Sequence, residues 1–226
     1  MKRNYPYHYD IATGLYARLA NQSYWQNSIS DLINFMGRVE GNMILDAGCG
    51  HGMSTQMLAA AFPHASIKGV DISKNMIRRA LRAHSKSVNE SGNLEFICAD
   101  AAGMPFQNET FDVVTAHSFL YMVHSREKII KEFFRVLKPG GMVVLLEPGT
   151  SIDAIGRSAI LKDNFSNRKP KTPIRTKMLL LRIYSTRKGM VTPKEMETLF
   201  SKSGFTDYTW KETQSKRGLL VKAIKP

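Results

Sequence analysis

The sequence is poor in cysteine and in acidic residues, and it lacks any long hydrophobic run. Two cysteines among 226 residues are too few to suggest a disulfide framework or a cysteine-based metal cluster. No stretch approaches the roughly 18 consecutive apolar residues of a membrane-spanning helix, and the first residues show no apolar signal-peptide core. Nor does any His, Asp and Glu cluster indicate a metal site. These absences favour a cytoplasmic protein, with attachment to a membrane surface left open.

The shortage of acidic residues is concentrated in the last third of the chain. Residues 1–150 hold 15 Lys and Arg against 13 Asp and Glu, whereas residues 151–226 hold 17 against 6. Ten of these basic residues lie between Arg157 and Lys188, where Asp163 is the one acidic residue. Such a cluster indicates an anionic partner, which could be a membrane surface, RNA, an anionic substrate or an acidic carrier protein. A solvated basic surface is the alternative interpretation.

Three glycines at alternate positions follow a short apolar run. Gly48, Gly50 and Gly52 stand between the run at 43–45 and a helix-like stretch that begins at Met53. Glycine lets a backbone pass close to a ligand because no Cβ blocks the approach, and a helix N-terminus offers free N–H groups. The dinucleotide frame G-x-G-x-x-G is not met, since Met53 occupies its last position. The loop therefore indicates a nucleoside-containing ligand other than a dinucleotide.

Acidic residues end the next two apolar runs. Asp71 stands nineteen positions after Gly52, at the tip of the second predicted strand. A carboxylate at that place commonly accepts hydrogen bonds from ribose hydroxyls. Asp100 follows the third apolar run in the same manner. Because aspartate also serves as a turn or helix-cap residue, a local structural role is the alternative for Asp100.

These motifs together resemble the class I S-adenosylmethionine-dependent methyltransferases over about residues 42 to 147. Five blocks in order carry the resemblance: the glycine loop, Asp71-Ile72, and the stretches 96–101, 111–117 and 135–147. The resemblance implies that Asp71 binds ribose, that Ile72 packs on adenine and that Asp100 accepts from the adenine amino group. It also implies that Asp46 helps to hold the methionine amine, with bonding to loop N–H groups as the alternative. The cofactor-binding set implied for S-adenosyl-L-methionine is Asp46, Gly48, Gly50, Gly52, Asp71, Ile72, Met76, Asp100 and Ala101.

The resemblance and the alternation of strands with helices predict an α/β fold. We expect a Rossmann-like, seven-stranded, mostly parallel sheet with helices on both faces and a C-terminal antiparallel hairpin. Strands are expected at 42–46, 66–70, 94–98, 111–116 and 141–147, with a closing hairpin from 205–211 and 218–224. Helices are expected at 24–39, 52–62, 73–88, 125–137 and 192–203, with 139–141 as a helix stop. We expect one domain with a lid at 1–41, a core at 42–149, a basic insertion at 150–190 and a C-terminal unit at 191–226.

Three further residues are candidates for the acceptor side of the site. His117 ends the fourth strand, where the methyl group of the cofactor should point, and we expect it to be a general base or an orienting group. A strand-end histidine bonded to backbone is the alternative. Tyr9 and Tyr16 resemble the N-terminal lid of small-molecule methyltransferases, although a helix packed on the sheet would show the same stripe.

The kind of acceptor is narrowed by motifs that are missing. Residues 116–119 do not match the Asn/Asp-Pro-Pro-Tyr motif of amino-group methyltransferases, and neither cysteine follows a proline as in pyrimidine C5-methyltransferases. What remains resembles the ubiquinone and menaquinone biosynthesis group, which implies C- or O-methylation of a small or lipid-like acceptor. The alternatives are an RNA methyltransferase that uses the basic segment 157–188 and a non-catalytic cofactor-binding module. A dehydrogenase with the pair Tyr184 and Lys188 is a weaker alternative because its glycine frame is missing.

Overall fold

Seven strands form one sheet in the computed structural model, which describes residues 23–85, 93–148, 191–214 and 218–226. The tyrosines Tyr9 and Tyr16 and the basic segment from Arg157 to Lys188 lie outside the described residues. The strands are β1 (Met43–Ala47), β2 (Ser66–Asp71), β3 (Leu94–Cys98), β4 (Phe111–His117), β5 (Leu137–Pro148), β6 (Thr206–Glu212) and β7 (Gly218–Ile224). The helices are α1 (Ser23–Met36), α2 (Met53–Ala61), α3 (Lys74–His84), α4 (Arg126–Val136) and α5 (Pro193–Lys202), and a 3-10 turn spans Leu120–Met122.

The strands are arranged in the order β3-β2-β1-β4-β5-β7-β6. Strands β1 to β5 are parallel, whereas β7 runs antiparallel to β5 and β6 runs antiparallel to β7. Strand β1 lies between β2 and β4, so the chain order reverses there, and in such sheets ligands bind beyond the carboxyl ends of the strands next to that point. The predicted seven-stranded fold with its closing antiparallel pair is confirmed.

Helices cover both faces because the inner strands are apolar on each side. Ile44 and Val113 pack with α1 and α2 on one face, and Leu45 and Val114 pack with α4 and α5 on the other. All four side chains are fully buried, and each contributes about 1.5–3 kcal/mol relative to an exposed side chain. Both layers therefore hold the strand ends in fixed positions. In the part of the chain described here, no helix combines the length and the hydrophobicity that crossing a membrane requires.

Two helices end earlier than the sequence predicts. Helix α1 ends at Met36 and not at residue 39, because Gly37 takes the left-handed conformation (φ +74°) that commonly terminates helices. Helix α4 ends at Val136, one residue before its predicted end, and the predicted helix stop at 139–141 lies within β5. Leu137 is already extended and fully buried, and it pairs with Phe111 of β4. Strand pairing therefore ends α4 before its proline is reached.

Side-chain hydrogen bonds cap the first turns of two helices. Ser73 accepts a hydrogen bond from the Met76 N–H at 3.2 Å, and Thr192 accepts one from the Glu195 N–H at 3.2 Å. Ser125 stands at the start of α4 but makes no side-chain cap bond. Helix α3, expected to reach residue 88, ends at His84.

Candidate cofactor site at the carboxyl edge of the sheet

The glycine loop is tied directly to the end of β2. The N–H groups of Gly48 and Cys49 both donate to the Val70 carbonyl, at 2.8 and 3.0 Å. Gly48, Gly50 and Gly52 all have positive φ angles, of 71°, 57° and 90°, which other residues rarely adopt. The backbone conformation therefore favours glycine at each position. The loop connects the end of β1 to the start of α2.

The three glycines face different surroundings. A Cβ added to Gly48 would lie 2.3 Å from Cδ2 of Phe119, and one added to Gly52 would lie 2.7 Å from Cζ of Phe96. Among the described residues, a Cβ on Gly50 would meet no atom within 4 Å. Gly48 and Gly52 thus allow close packing against aromatic rings. Gly50 is the position at which the loop borders open space that a ligand could fill.

Asp71 joins the glycine loop to the start of α3. Its Oδ2 accepts from the Gly50 N–H at 2.9 Å, and its Oδ1 accepts from the Ser73 N–H at 2.8 Å. The side chain is only partly buried. Because each carboxylate oxygen has two lone pairs, this arrangement leaves acceptor capacity on a preoriented carboxylate beside the open space at Gly50.

Asp46 is enclosed completely. Its carboxylate accepts from the hydroxyls of Ser54 (2.6 Å), Thr55 (2.8 Å) and Thr115 (3.3 Å). Burial raises the pKa of Asp46 to about 6, although the hydroxyl hydrogen bonds lower it and the nearby Asp71 charge raises it further. The side chain is 0% exposed, so it holds the first turn of α2 against β4 and does not face the open space. The bonding partners are hydroxyls and not the loop N–H groups of the alternative interpretation.

The other residues predicted to bind cofactor surround the ends of β2 and β3. The Ala99 N–H donates to the Asp71 carbonyl at 3.1 Å, which brings the residues after both strands together. Asp100 is exposed, and its Oδ1 accepts from the Ala102 N–H at 2.9 Å, as in the turn that was its alternative role. Met76 in α3 and Ala101 are buried, whereas Ile72 is partly exposed.

His117 lies beneath α1. Its Nε2 is 2.8 Å from Oγ of Ser28, and its ring meets the Trp25 ring edge-on with a centroid distance of 4.9 Å. Ser28 donates its hydroxyl proton to the Trp25 carbonyl at 2.7 Å, so the histidine Nε2 is placed to donate to Ser28. Burial lowers the pKa of His117 to about 4. The ring is therefore neutral at neutral pH.

Glu147, at the end of β5, was not among the predicted site residues. Its Oε1 accepts from the N–H groups of Phe119 (3.1 Å) and Leu120 (2.8 Å), and its Oε2 accepts from that of Tyr121 (3.1 Å). The side chain is fully buried, and burial raises the pKa of Glu147 to about 7 despite these hydrogen bonds. An acidic residue that ends an apolar run was the signal that identified Asp71, and the same signal is present here.

An open cleft of about 670 Å³ lies at the start of α4. None of the predicted site residues lines it. Its charged side chains are largely paired, Arg126 with Glu195 and Lys131 with Glu127. The cleft is therefore separate from the site at the glycine loop. Among the described residues, no group of three or more His, Cys, Asp and Glu side chains is placed to hold a metal ion.

Comparisons with known proteins agree with this geometry. Residues 45–145 match a family model described as a methyltransferase domain. The demethylmenaquinone methyltransferase of Lactococcus lactis is 32% identical over 174 residues, which cover 75% of this chain and 68% of the relative. That of Lysinibacillus sphaericus is 38% identical over 128 residues, covering 56% of this chain and 52% of the relative.

A solved structure shows the same architecture. A SAM-dependent methyltransferase from Methanosarcina mazei superposes with a TM-score of 0.60 at 26% identity, covering 85% of this chain and 96% of the other. The chain spans only about half the length of several curated relatives that it matches. The family model matches the part of the chain that runs from within β1 to within β5.

Proposed function

The chain belongs to the S-adenosylmethionine-dependent methyltransferases, in the group related to the ubiquinone and menaquinone biosynthesis enzymes, and we propose that it methylates a carbon of a small, quinone-like acceptor. The link of Asp71 to both Gly50 and Ser73 carries the proposal. Because of this link, a carboxylate that can accept hydrogen bonds lies beside Gly50, the glycine of the loop that borders open space. Ribose hydroxyls are donors that suit such a carboxylate.

The residues present fit an adenosine-bearing cofactor. We propose that Asp71 binds the ribose, that Ile72, Met76 and Ala101 border the adenine, and that Asp100 accepts from the adenine amino group through its remaining lone pairs. Asp46 has a different part in this proposal. Its carboxylate is enclosed, so it acts by fixing Ser54 and Thr55 at the start of α2 and not by touching the methionine amine.

When bound, S-adenosylmethionine supplies a methyl group on a positively charged sulfonium. The acceptor carbon would gain this methyl group as the sulfur leaves in S-adenosylhomocysteine, and the proton displaced from that carbon would pass to solvent. Because the leaving group is already activated, the protein contributes mainly by holding the two reactants in line and by excluding water. A protein base is needed only where the acceptor proton has a high pKa.

Of the two roles predicted for His117, we propose the orienting one. A histidine whose pKa is about 4 holds an abstracted proton poorly at neutral pH. Its contact with Ser28 fixes the ring relative to α1 and to the end of β4. Because Nε2–H donates to Ser28, the neutral imidazole offers its other nitrogen only as an acceptor, which suits a hydrogen bond from a hydroxyl group of the methyl acceptor better than it suits proton removal.

The acceptor is proposed from the relatives, since two of them are named as demethylmenaquinone methyltransferases. The test is to incubate the full chain with methyl-labelled S-adenosylmethionine and a membrane-lipid extract, an RNA preparation or a small-molecule extract. We expect label in a quinone-containing lipid fraction, with S-adenosylhomocysteine as the coproduct. Label in RNA would support the RNA methyltransferase alternative. Tight cofactor binding without transfer to any fraction, including purified demethylmenaquinone, would support a binding module.

A further inference from the structure

Helix α3 carries a charge pattern that disfavours the helix itself. Lys74, Arg78 and Arg82 are spaced by four residues, so their side chains lie along one face. Like charges at this spacing destabilise a helix, and the helix contains no acidic residue to offset them. Lys74 also stands in the first turn, next to the positive end of the helix dipole. Helix stability therefore does not explain this arrangement.

The three cations have no partner among the described residues. All are exposed, and none forms a hydrogen bond or an ion pair within that part of the chain. Exposed lysines elsewhere do find carboxylates, as Lys131 does with Glu127. The face of α3 thus presents uncompensated positive charge over about 12 Å along the helix axis.

An apolar side chain lies on the same face. Leu81 is 48% exposed, and with Trp210 it is one of two large hydrophobic residues exposed in the described part of the chain. It stands three residues after Arg78 and directly before Arg82, and it also stands four residues after the buried Ile77, so it lies where the charged face meets the buried side formed by Met76, Ile77 and Ala80. The exposed face therefore combines three cations with one solvent-facing leucine.

From this combination we propose that the face formed by Lys74, Arg78, Leu81 and Arg82 docks on an anionic lipid bilayer. Basic side chains bind lipid headgroups electrostatically, and a leucine between them enters the acyl boundary of the membrane. A nucleic acid would satisfy the cations but would leave the leucine without a contact, and α3 has no Phe, Tyr or Trp on which bases could stack. The docking face does not depend on the proposed methyl acceptor.

The test is flotation of the full chain with vesicles of phosphatidylcholine, with and without added phosphatidylglycerol. We expect binding to the anionic vesicles only, and weaker binding as the salt concentration rises. The double substitution Arg78→Gln and Arg82→Gln should weaken binding roughly thirtyfold, from about one kilocalorie for each lost charge. Leu81→Gln should weaken it roughly fivefold without any change in charge.

A matched control removes the same charge elsewhere. Lys128 and Lys202 are exposed on α4 and α5, and their double substitution to Gln should change vesicle binding less than twofold. Equal losses in the two double variants would show attraction by net charge alone and would overturn the proposal. Chemical unfolding checks the fold, and removal of the like charges on α3 should leave the unfolding midpoint unchanged or raised.

A nucleic-acid surface gives a different pattern. Two results together would overturn the bilayer assignment. The protein would bind an RNA oligonucleotide and lose that binding in the Arg78 and Arg82 double variant, and Leu81→Gln would leave vesicle binding unchanged. Neither measurement uses cofactor or acceptor. Failure of the docking face would therefore leave the proposed methyl transfer standing, and failure of methyl transfer would leave the docking face standing.

Discussion

The two halves of the sheet edge hold a carboxylate in the same way but in opposite surroundings. Asp71, after β2, binds the N–H groups of Gly50 and Ser73 and remains partly exposed. Glu147, after β5, binds three N–H groups of the loop at 119–121 and is completely buried. Each carboxylate fixes a loop that borders the site. Burial decides which one can also accept hydrogen bonds from a ligand.

The two loops meet at the glycine motif. The Phe119 ring, held in place by the N–H bond to Glu147, occupies the space that a Cβ on Gly48 would need. The buried carboxylate therefore fixes an aromatic ring that packs against the glycine loop. We therefore predict that substitution of Glu147 lowers mainly the stability of the fold, whereas substitution of Asp71 lowers mainly the affinity for the cofactor.

The largest expected effect is on stability at Glu147. Glu147→Ala leaves one buried and two partly buried N–H groups without this acceptor, which should lower the free energy of unfolding by about 3 kcal/mol or more. Urea denaturation would measure the change. Asp112→Ala is the control, since its carboxylate also accepts from two backbone N–H groups but is only half-buried at the opposite edge of the sheet. An equal or larger loss of unfolding free energy in Asp112→Ala would contradict the larger structural role predicted for Glu147.

The same residue predicts a pH dependence. Because the pKa of Glu147 rises from 4.5 to about 7 on folding, the folded protein binds the proton more tightly, and this stability is lost as the pH rises through 7. The contribution of Asp112 to stability depends on pH in the opposite direction. Burial alone would raise its pKa, but hydrogen bonds from Lys138 and two N–H groups lower it, so its contribution is lost as the pH falls. Glu147→Gln should therefore flatten the decline of stability between about pH 5 and 8, whereas Asp112→Asn should not.

The fold and the cofactor half of the site could be predicted because their signals are local. The glycine spacing and an acidic residue at the end of an apolar run place Gly50 and Asp71 without knowledge of the tertiary structure. The acceptor half depends on contacts between distant residues. His117 is buried by Ser28 and Trp25, about ninety positions earlier, and Glu147 meets N–H groups 26 to 28 positions before it. Sequence patterns carry no information on which helix covers a strand end.

The different roles of the glycines could not be predicted for the same reason. A shared left-handed backbone explains why all three are glycine, but Phe119 and Phe96 decide which of them are enclosed. Similarly, the hydroxyls of Ser54 and Thr55 are near Asp46 in sequence, whereas the closure by Thr115 requires β4 to pair with β1. In the site that we propose, Asp46 therefore supports Ser54 and Thr55, and the ligand contact expected for it stays a prediction.

The next effect is on cofactor affinity at Asp71. Asp71→Ala removes a charged acceptor and the anchor of Gly50, so S-adenosylmethionine should bind more weakly by about 1.5–3 kcal/mol in calorimetric titration. Asp100→Ala is the matched control, because that carboxylate is exposed and accepts a hydrogen bond from the Ala102 N–H. A smaller loss is expected there. Unchanged affinity in the Asp71 variant would remove the ribose role from the proposal.

The smallest effect is expected at His117, and it separates orientation from proton transfer. His117→Ala should reduce turnover about tenfold with little change in cofactor affinity, since only the placement of the acceptor is disturbed. Ser28→Ala should act in the same direction, and the double variant should be no slower than His117→Ala if Ser28 acts through the histidine. With a pKa of about 4, His117 should cause no inflection in the turnover profile between about pH 5 and 8. An inflection near the usual histidine pKa that disappears in the His117 variant would favour the role of general base. It would show that α1 moves away during the reaction and that His117 is then exposed to water.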